Sequence, residues 1–500
     1  MSAMNPAERT FFGHPRGLAT LYGTEFFERF SYYGLRAQLI LFVTLAVANG
    51  GLGLSESTGG AIYGLYTSSA YLLSLPGGWI ADRILGQRRC VIVGGALISL
   101  GNFMLAVPGS ALLFYFGLMV VAFGTGMLKP NASAMVGELY QGQPGARRDA
   151  AFSLFYMGIN MGATLGGIVA GGVGETLGYR WGFFTAGAAM LLGILWFRSS
   201  NKWLGSVGLV ATGTSPEERR RNIRFLLAGV LLLVVGVATV ASGTVQASAS
   251  DLATWSFAFM VTLAVLFFGG VLLFGGLDAA ARKRIWVIIV FFLCGALFFA
   301  GYEQAGSTLN LFARDLTDRS LFGSLFAAHE HPAAWYQSVP SIYVIILSPF
   351  FAWLWIALGR RNLDPSAPLK FGIGLTLLGV GFAVLIVAAN LIIAQGGKVG
   401  PQWLLLTYLF HTFGELCLSP IGLSNVTKLA PPRYVSQMMG MWFLGTAMGN
   451  LAAGLIGGRI GSAVATMPAE FTHMALYGIG AGVLMMLLSP VIRRWMGGVH

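Results

Sequence analysis

The feature that most constrains this chain is a pair of long, charge-free apolar runs. "FLLAGVLLLVVGVATVASG" covers Phe225 to Gly243, and "FAFMVTLAVLFFGGVLLFGG" covers Phe257 to Gly276. A helix needs about 20 apolar residues to cross the hydrocarbon core of a bilayer. Similar runs recur along all 500 residues and give about fourteen expected spans. Composition agrees. Only 10% of residues are charged and 56% are hydrophobic, whereas a soluble domain carries about 25% charged residues. The chain reads as an all-α polytopic membrane protein. Its seventy glycines suit helices that pack backbone to backbone.

The formal net charge is +12, and its distribution matters more than its size. Basic residues gather in alternate connections: "ADRILGQRR" (81–89), "GARRD" (145–149), "EERRRNIR" (217–224), "ARKR" (281–284), "GRR" (359–361) and "KLAPPR" (428–433). The intervening connections, such as "ANGGLGLSEST" and "ASGTVQASASD", are nearly free of them. This is the positive-inside pattern. It places the basic loops and both termini in the cytoplasm of a multi-pass protein, and it argues against a nucleic-acid partner. No apolar core followed by a cleavage site precedes the first span, so no removable signal peptide is expected. Cys90, Cys294 and Cys417 lie far apart in apolar runs. They read as buried small side chains with no metal or redox spacing. No cofactor and no metal are expected. His329 and His331, in "HEH", read as part of a solvated outer turn, because two loop ligands make no complete site.

Polar punctuation divides the chain. A six-span bundle occupies 1–198, a cytoplasmic linker 199–221, an inserted two-helix hairpin 222–276, and a second six-span bundle 277–500.

The first span breaks the apolar rule. "TEFFERFSYYGLR" (24–36) holds Glu25, Glu28, Arg29 and Arg36. On a helix, Glu25, Arg29, Tyr32 and Arg36 fall on one stripe, with Glu28 beside it. Each such charge costs about 2.5–3.5 kcal/mol at a helix centre, so the stripe faces a polar interior. Two readings follow: a buried ion-pair cluster that fixes packing, or a site for an ion, a proton or a charged substrate. A glutamate that changes partners inside a low-dielectric interior can take up and release a proton.

Other polar residues lie deep in apolar runs: Lys129, Asn160, Glu303, Gln304 and Glu415. Lys129 can instead snorkel to the interface, and Asn160 can serve as an interhelical hydrogen-bond link. Arg29, Arg36 and Lys129 lie in the first half of the chain, and the carboxylates Glu303 and Glu415 in the second. A cavity lined by both signs suits a zwitterion. Tyr32 and Tyr33 flank the stripe, and Tyr71 and Trp442 add further aromatic surface. No HExxH or GxSxG motif suggests an enzyme.

These stretches resemble the proton-dependent oligopeptide transporter family of the major facilitator fold. "ExxERFxYYG" (25–34) is similar to its first-helix signature. "FGTGxxKPN" around Lys129, "FYxxIN" ending at Asn160, "YEQxGS" around Glu303 and "GELxLSPxGLS" around Glu415 follow in the family's order. The resemblance implies proton-coupled import of di- and tripeptides by alternating access, in the cytoplasmic (inner) membrane of a bacterium, by a monomer. It implies proton-coupling roles for Glu25, Glu28, Arg29, Lys129, Arg36 and Glu303, with Arg36 and Glu303 bridging the bundles. It also implies peptide contacts for Arg29, Tyr33, Tyr71, Lys129, Asn160, Glu415 and Trp442. Tyr32 and Gln304 are added to the substrate set from their positions. Two departures stand out. "QSVPS" (337–341) has Pro340 where the family carries an asparagine, and Gly64 replaces the histidine of some animal relatives. The alternative is the same machinery carrying nitrate or another small organic solute.

Overall fold

The computed structural model describes residues 10–142, 145–209, 215–241, 246–460 and 464–498. Among these no β-strand forms. The long helices are α1 (Arg16–Thr44), α2 (Glu56–Leu72), α3 (Gln87–Ala106), α4 (Ala111–Leu139), α5 (Gly145–Leu165), α6 (Tyr179–Ser200) and α7 (Pro216–Ala241). They continue with α8 (Ala249–Phe274), α9 (Ala279–Tyr302), α10 (Val339–Arg360), α11 (Ala367–Gln395), α12 (Gln402–Leu429), α13 (Val435–Ile460) and α14 (Met467–Met496). Among the described residues, 11 helices are long and apolar enough to cross a membrane. The other three are α1, α2 and α7. The first carries its buried charges, α2 is only 17 residues long, and α7 opens on the charged stretch 217–224. The chain is an all-helical polytopic membrane protein.

Two compact units form. One comprises Met1–Leu35 with Leu73–Ser248, the other Arg36–Leu72 with Ala249–His500. The division cuts through α1, so Arg36 belongs with the second unit.

Glycine seams set the helix spacing in each unit, because lipid gives packed helices no hydrophobic drive and close backbone contact must supply the attraction. In the first unit Gly158, Gly162 and Gly166 recur every four residues along α5 and its continuation. A Cβ at Gly162 would lie 2.2 Å from the Phe26 carbonyl oxygen, and one at Gly166 2.3 Å from that of Phe30. The chain then widens into a π-helical segment, Gly166–Gly171. This seam holds α5 against the charged half of α1. Gly94 of α3 and Gly124 of α4 make a comparable crossing. Pro130 lies inside α4. Its missing N–H leaves the Gly126 carbonyl without its helical donor, and Gly77 packs directly against that oxygen. In the second unit Gly379 of α11 meets Gly478 of α14.

The linker is anchored where it leaves α6. Arg88 donates 2.6 Å hydrogen bonds to the Val207 and Gly205 carbonyls. The free thiols of Cys90, Cys294 and Cys417 are buried.

The segment between α9 and α10 corrects the expected solvated turn. His329 is exposed, but His331 is only 5% exposed. Its Nε2 lies 3.2 Å from the Tyr336 hydroxyl. Glu330 accepts from Arg319 at 2.5 Å and from Lys398 at 2.6 Å, and Asp318 N–H donates to the Val399 carbonyl. These bonds tie the segment to the α11–α12 connection and close it over His331. Burial lowers the His331 pKa, whereas the Lys398 hydrogen bond and Arg319 hold Glu330 below the usual carboxylate range.

Candidate functional site

In the first unit the site is built on one face of α1. Glu25, Glu28 and Arg29 are each at most 3% exposed. The Arg29 guanidinium grips Glu28 through two hydrogen bonds, Nε to Oε2 and Nη2 to Oε1, the second at 2.5 Å. Such a fork uses both oxygens of one carboxylate. Glu25 receives only a longer approach, 3.3 Å from Arg29 Nε to Oε1. Its other oxygen, Oε2, is buried and has no hydrogen-bond partner among the described residues. A buried unsatisfied oxygen costs about 1–3 kcal/mol, and a proton placed there removes part of that cost. Lys129, half-buried on α4, acts electrostatically on Glu25. Two carboxylates thus face two cations, and the charge balances only while both cations stay. Tyr32 is buried, with the Arg29 guanidinium 4.9 Å from its ring centroid. Tyr33, edge-on to it, is half-buried. Asn160 is buried, and its amide donates 2.9 Å back to the Tyr156 carbonyl.

In the second unit a separate set gathers. Arg36 Nη2 lies 2.9 Å from Glu303 Oε2, and its Nε donates 2.7 Å to the Tyr63 hydroxyl. Both ions are nearly buried. Glu303 has no basic neighbour on its own helix, yet it is paired. Glu415 is half-buried on α12 and accepts a 2.5 Å hydrogen bond from the Tyr302 hydroxyl. Gln304 is fully buried. Its amide points at the Ala300 carbonyl, 3.3 Å away, and its oxygen accepts from Thr308. Trp442 is buried, with its ring over Gly422 of α12 and Gly295 of α9. Tyr71, in the last turn of α2, is half-buried.

Both sequence departures fit their local surroundings. Pro340 stands in the first turn of α10, where a missing N–H breaks no helical bond. Its neighbour Gln337 is buried and donates to the Ala305 carbonyl. A Cβ on Gly64 would lie 3.0 Å from the Leu451 carbonyl oxygen and 3.2 Å from Gly454 Cα. A side chain at that point would press on the α13 backbone. Sequence reasoning missed Tyr63 and Tyr302. The only signal for Tyr302 was its place immediately before Glu303.

A family model described as the POT family matches residues 88–471. The chain belongs to the POT family. POT proteins are transporters rather than enzymes, and the similarity runs the length of the chain. Peptide transporter YePEPT of Yersinia enterocolitica is 39% identical over 100% of this chain and 98% of its own length. A di-/tripeptide transporter of Lactococcus lactis subsp. cremoris is 33% identical over 100% of both. Among solved structures, the peptide transporter POT in complex with sulfate superposes with a TM-score of 0.90 at 36% identity, covering 98% of each chain. A POT family transporter in complex with 5-aminolevulinic acid superposes with a TM-score of 0.87 at 31% identity, covering 97% of this chain and 98% of that one.

Proposed function

We propose that this POT member is a proton-coupled symporter that imports di- and tripeptides by alternating access. The observation that carries the reading is the uneven sharing of Arg29, which holds both oxygens of Glu28 and leaves Glu25 Oε2 without a hydrogen-bond partner among the described residues. A peptide carboxylate that draws on Lys129 removes a positive charge from Glu25. An unbalanced carboxylate in a low-dielectric interior then binds a proton. Peptide and proton therefore favour one another, which is what symport requires.

Arg29 and Lys129 serve the peptide carboxylate and Glu415 its ammonium, with Tyr33, Tyr71, Asn160 and Trp442 as further peptide contacts. The Arg36–Glu303 pair is the switch that opens and closes during the cycle. The protein works as a monomer in the inner membrane of a bacterium, with the basic loops and both termini in the cytoplasm. The names of the relatives from Yersinia and Lactococcus support the substrate class. The complex of a relative with 5-aminolevulinic acid favours one widening of it, to other small amino-carboxylates.

Proteoliposomes with an inward proton gradient test the reading. Labelled dialanine should accumulate inside and should leave again when a protonophore collapses the gradient. Flux of another solute without peptide accumulation would overturn it.

A further inference from the structure

The hydroxyl of Tyr302 is bonded to Glu415 inside a packed aromatic nest, and from this geometry we infer that Tyr302 is the positioning residue that keeps Glu415 ready for a substrate ammonium. The inference rests on the reading of Glu415 as the amine site. Tyr302 ends α9, and its ring has little room to turn. It stacks on Phe298 with centroids 5.5 Å apart, meets Phe299 edge-on at 6.3 Å, and lies 6.5 Å from the His411 ring. His411 is itself held against Phe382, with centroids 4.9 Å apart. A rigid ring delivers its hydroxyl to one place, and that place is Glu415 Oε2, 2.5 Å away. A carboxylate on a flexible stem otherwise samples several rotamers, and ordering it at the moment of binding costs affinity.

The hydroxyl also donates to the carboxylate, and a hydrogen bond to a charged acceptor is among the stronger kinds. An ammonium ligand needs that charge. The other ionisable groups around Glu415 are Glu303, Arg36 and, one turn earlier on α12, His411. Tyr408 lies nearer the start of the same helix. Of these, the cation Arg36 is already engaged with Glu303.

Tyr302→Phe keeps the ring and removes only the hydroxyl, which separates positioning from packing. Its dialanine KM, compared with the wild type, should rise about tenfold. The maximal rate should stay near the wild-type value. The inhibition constant of N-acetyl-dialanine, which offers no ammonium, should not change. An equal loss for the blocked and free peptides, or an unchanged dialanine KM, would overturn the role of Tyr302. Glu415→Gln in the same assay separates the two levels. If it raises dialanine KM while Tyr302→Phe does not, only the positioning role falls. If it leaves dialanine KM unchanged, the amine site itself is wrong and the inference falls with it.

Discussion

At the scale of single residues, the two glutamates of α1 are not equivalent. Glu28 has both oxygens bound by one guanidinium, whereas Glu25 keeps one oxygen without a hydrogen-bond partner among the described residues. Glu415 differs from both, since its bonded neighbour is a phenol rather than a cation. That difference leaves its charge available to a ligand. Glu415→Ala should therefore weaken uptake of free-amine dipeptides by about tenfold or more, the range for losing a charge-assisted bond. Competition by N-blocked analogues should change little. Transport assays with both peptide types check this, and an equal loss for both would remove the amine assignment. The stripe Glu25, Arg29, Tyr32, Arg36 was legible because helical period alone puts those residues on one face. Which glutamate has the spare oxygen was not legible. That depends on side-chain rotamers and on how Arg29 divides its donors.

At the scale of elements, α1 can carry its charges because α5 shields them at backbone distance. The seam of Gly158, Gly162 and Gly166 allows this. Gly162→Leu should separate α5 from α1, because a Cβ there would meet the Phe26 carbonyl at 2.2 Å and Arg29 Cβ at 3.0 Å. Overpacking of this kind costs about 1–3 kcal/mol or more. Thermal unfolding in detergent should show a lower midpoint for the variant, and an unchanged midpoint would contradict the seam. In a chain with seventy glycines, nothing in the sequence marks these three. The segment between α9 and α10 was misread for a related reason. "HEH" is polar in sequence, yet Arg319 and Lys398 draw Glu330 inward from distant positions and carry His331 under cover.

That burial sets a pH dependence for the segment. Both groups have lowered pKa values in the folded protein. A depressed value contributes stability above the unfolded pKa and loses it as pH falls through the folded one. The His331 contribution is therefore complete above about pH 6.5 and fades below it, and that of Glu330 fades below about pH 4.3. Hydrogen exchange over residues 318–336, corrected for intrinsic rates, should show more opening at about pH 5 than at about pH 7.5. Lys398→Ala should increase opening at the higher pH as well. Equal protection at both pH values would contradict the account.

At the scale of the whole molecule, charge is sorted into a few buried sets and a border of basic loops. The fold class followed from composition and span length, since a chain with 10% charged residues cannot cover a large water-facing surface. The division of α1 between two compact units did not follow, because a helix shows no break in sequence where its packing partners change. The central claim is that protons drive accumulation through the α1 acids and Lys129. Proteoliposomes containing wild type or Glu28→Gln, tested side by side for gradient-driven uptake of dialanine and for gradient-free counterflow, address it most directly. The account predicts that Glu28→Gln loses accumulation above equilibrium while counterflow continues. Accumulation at the wild-type level in Glu28→Gln would contradict it.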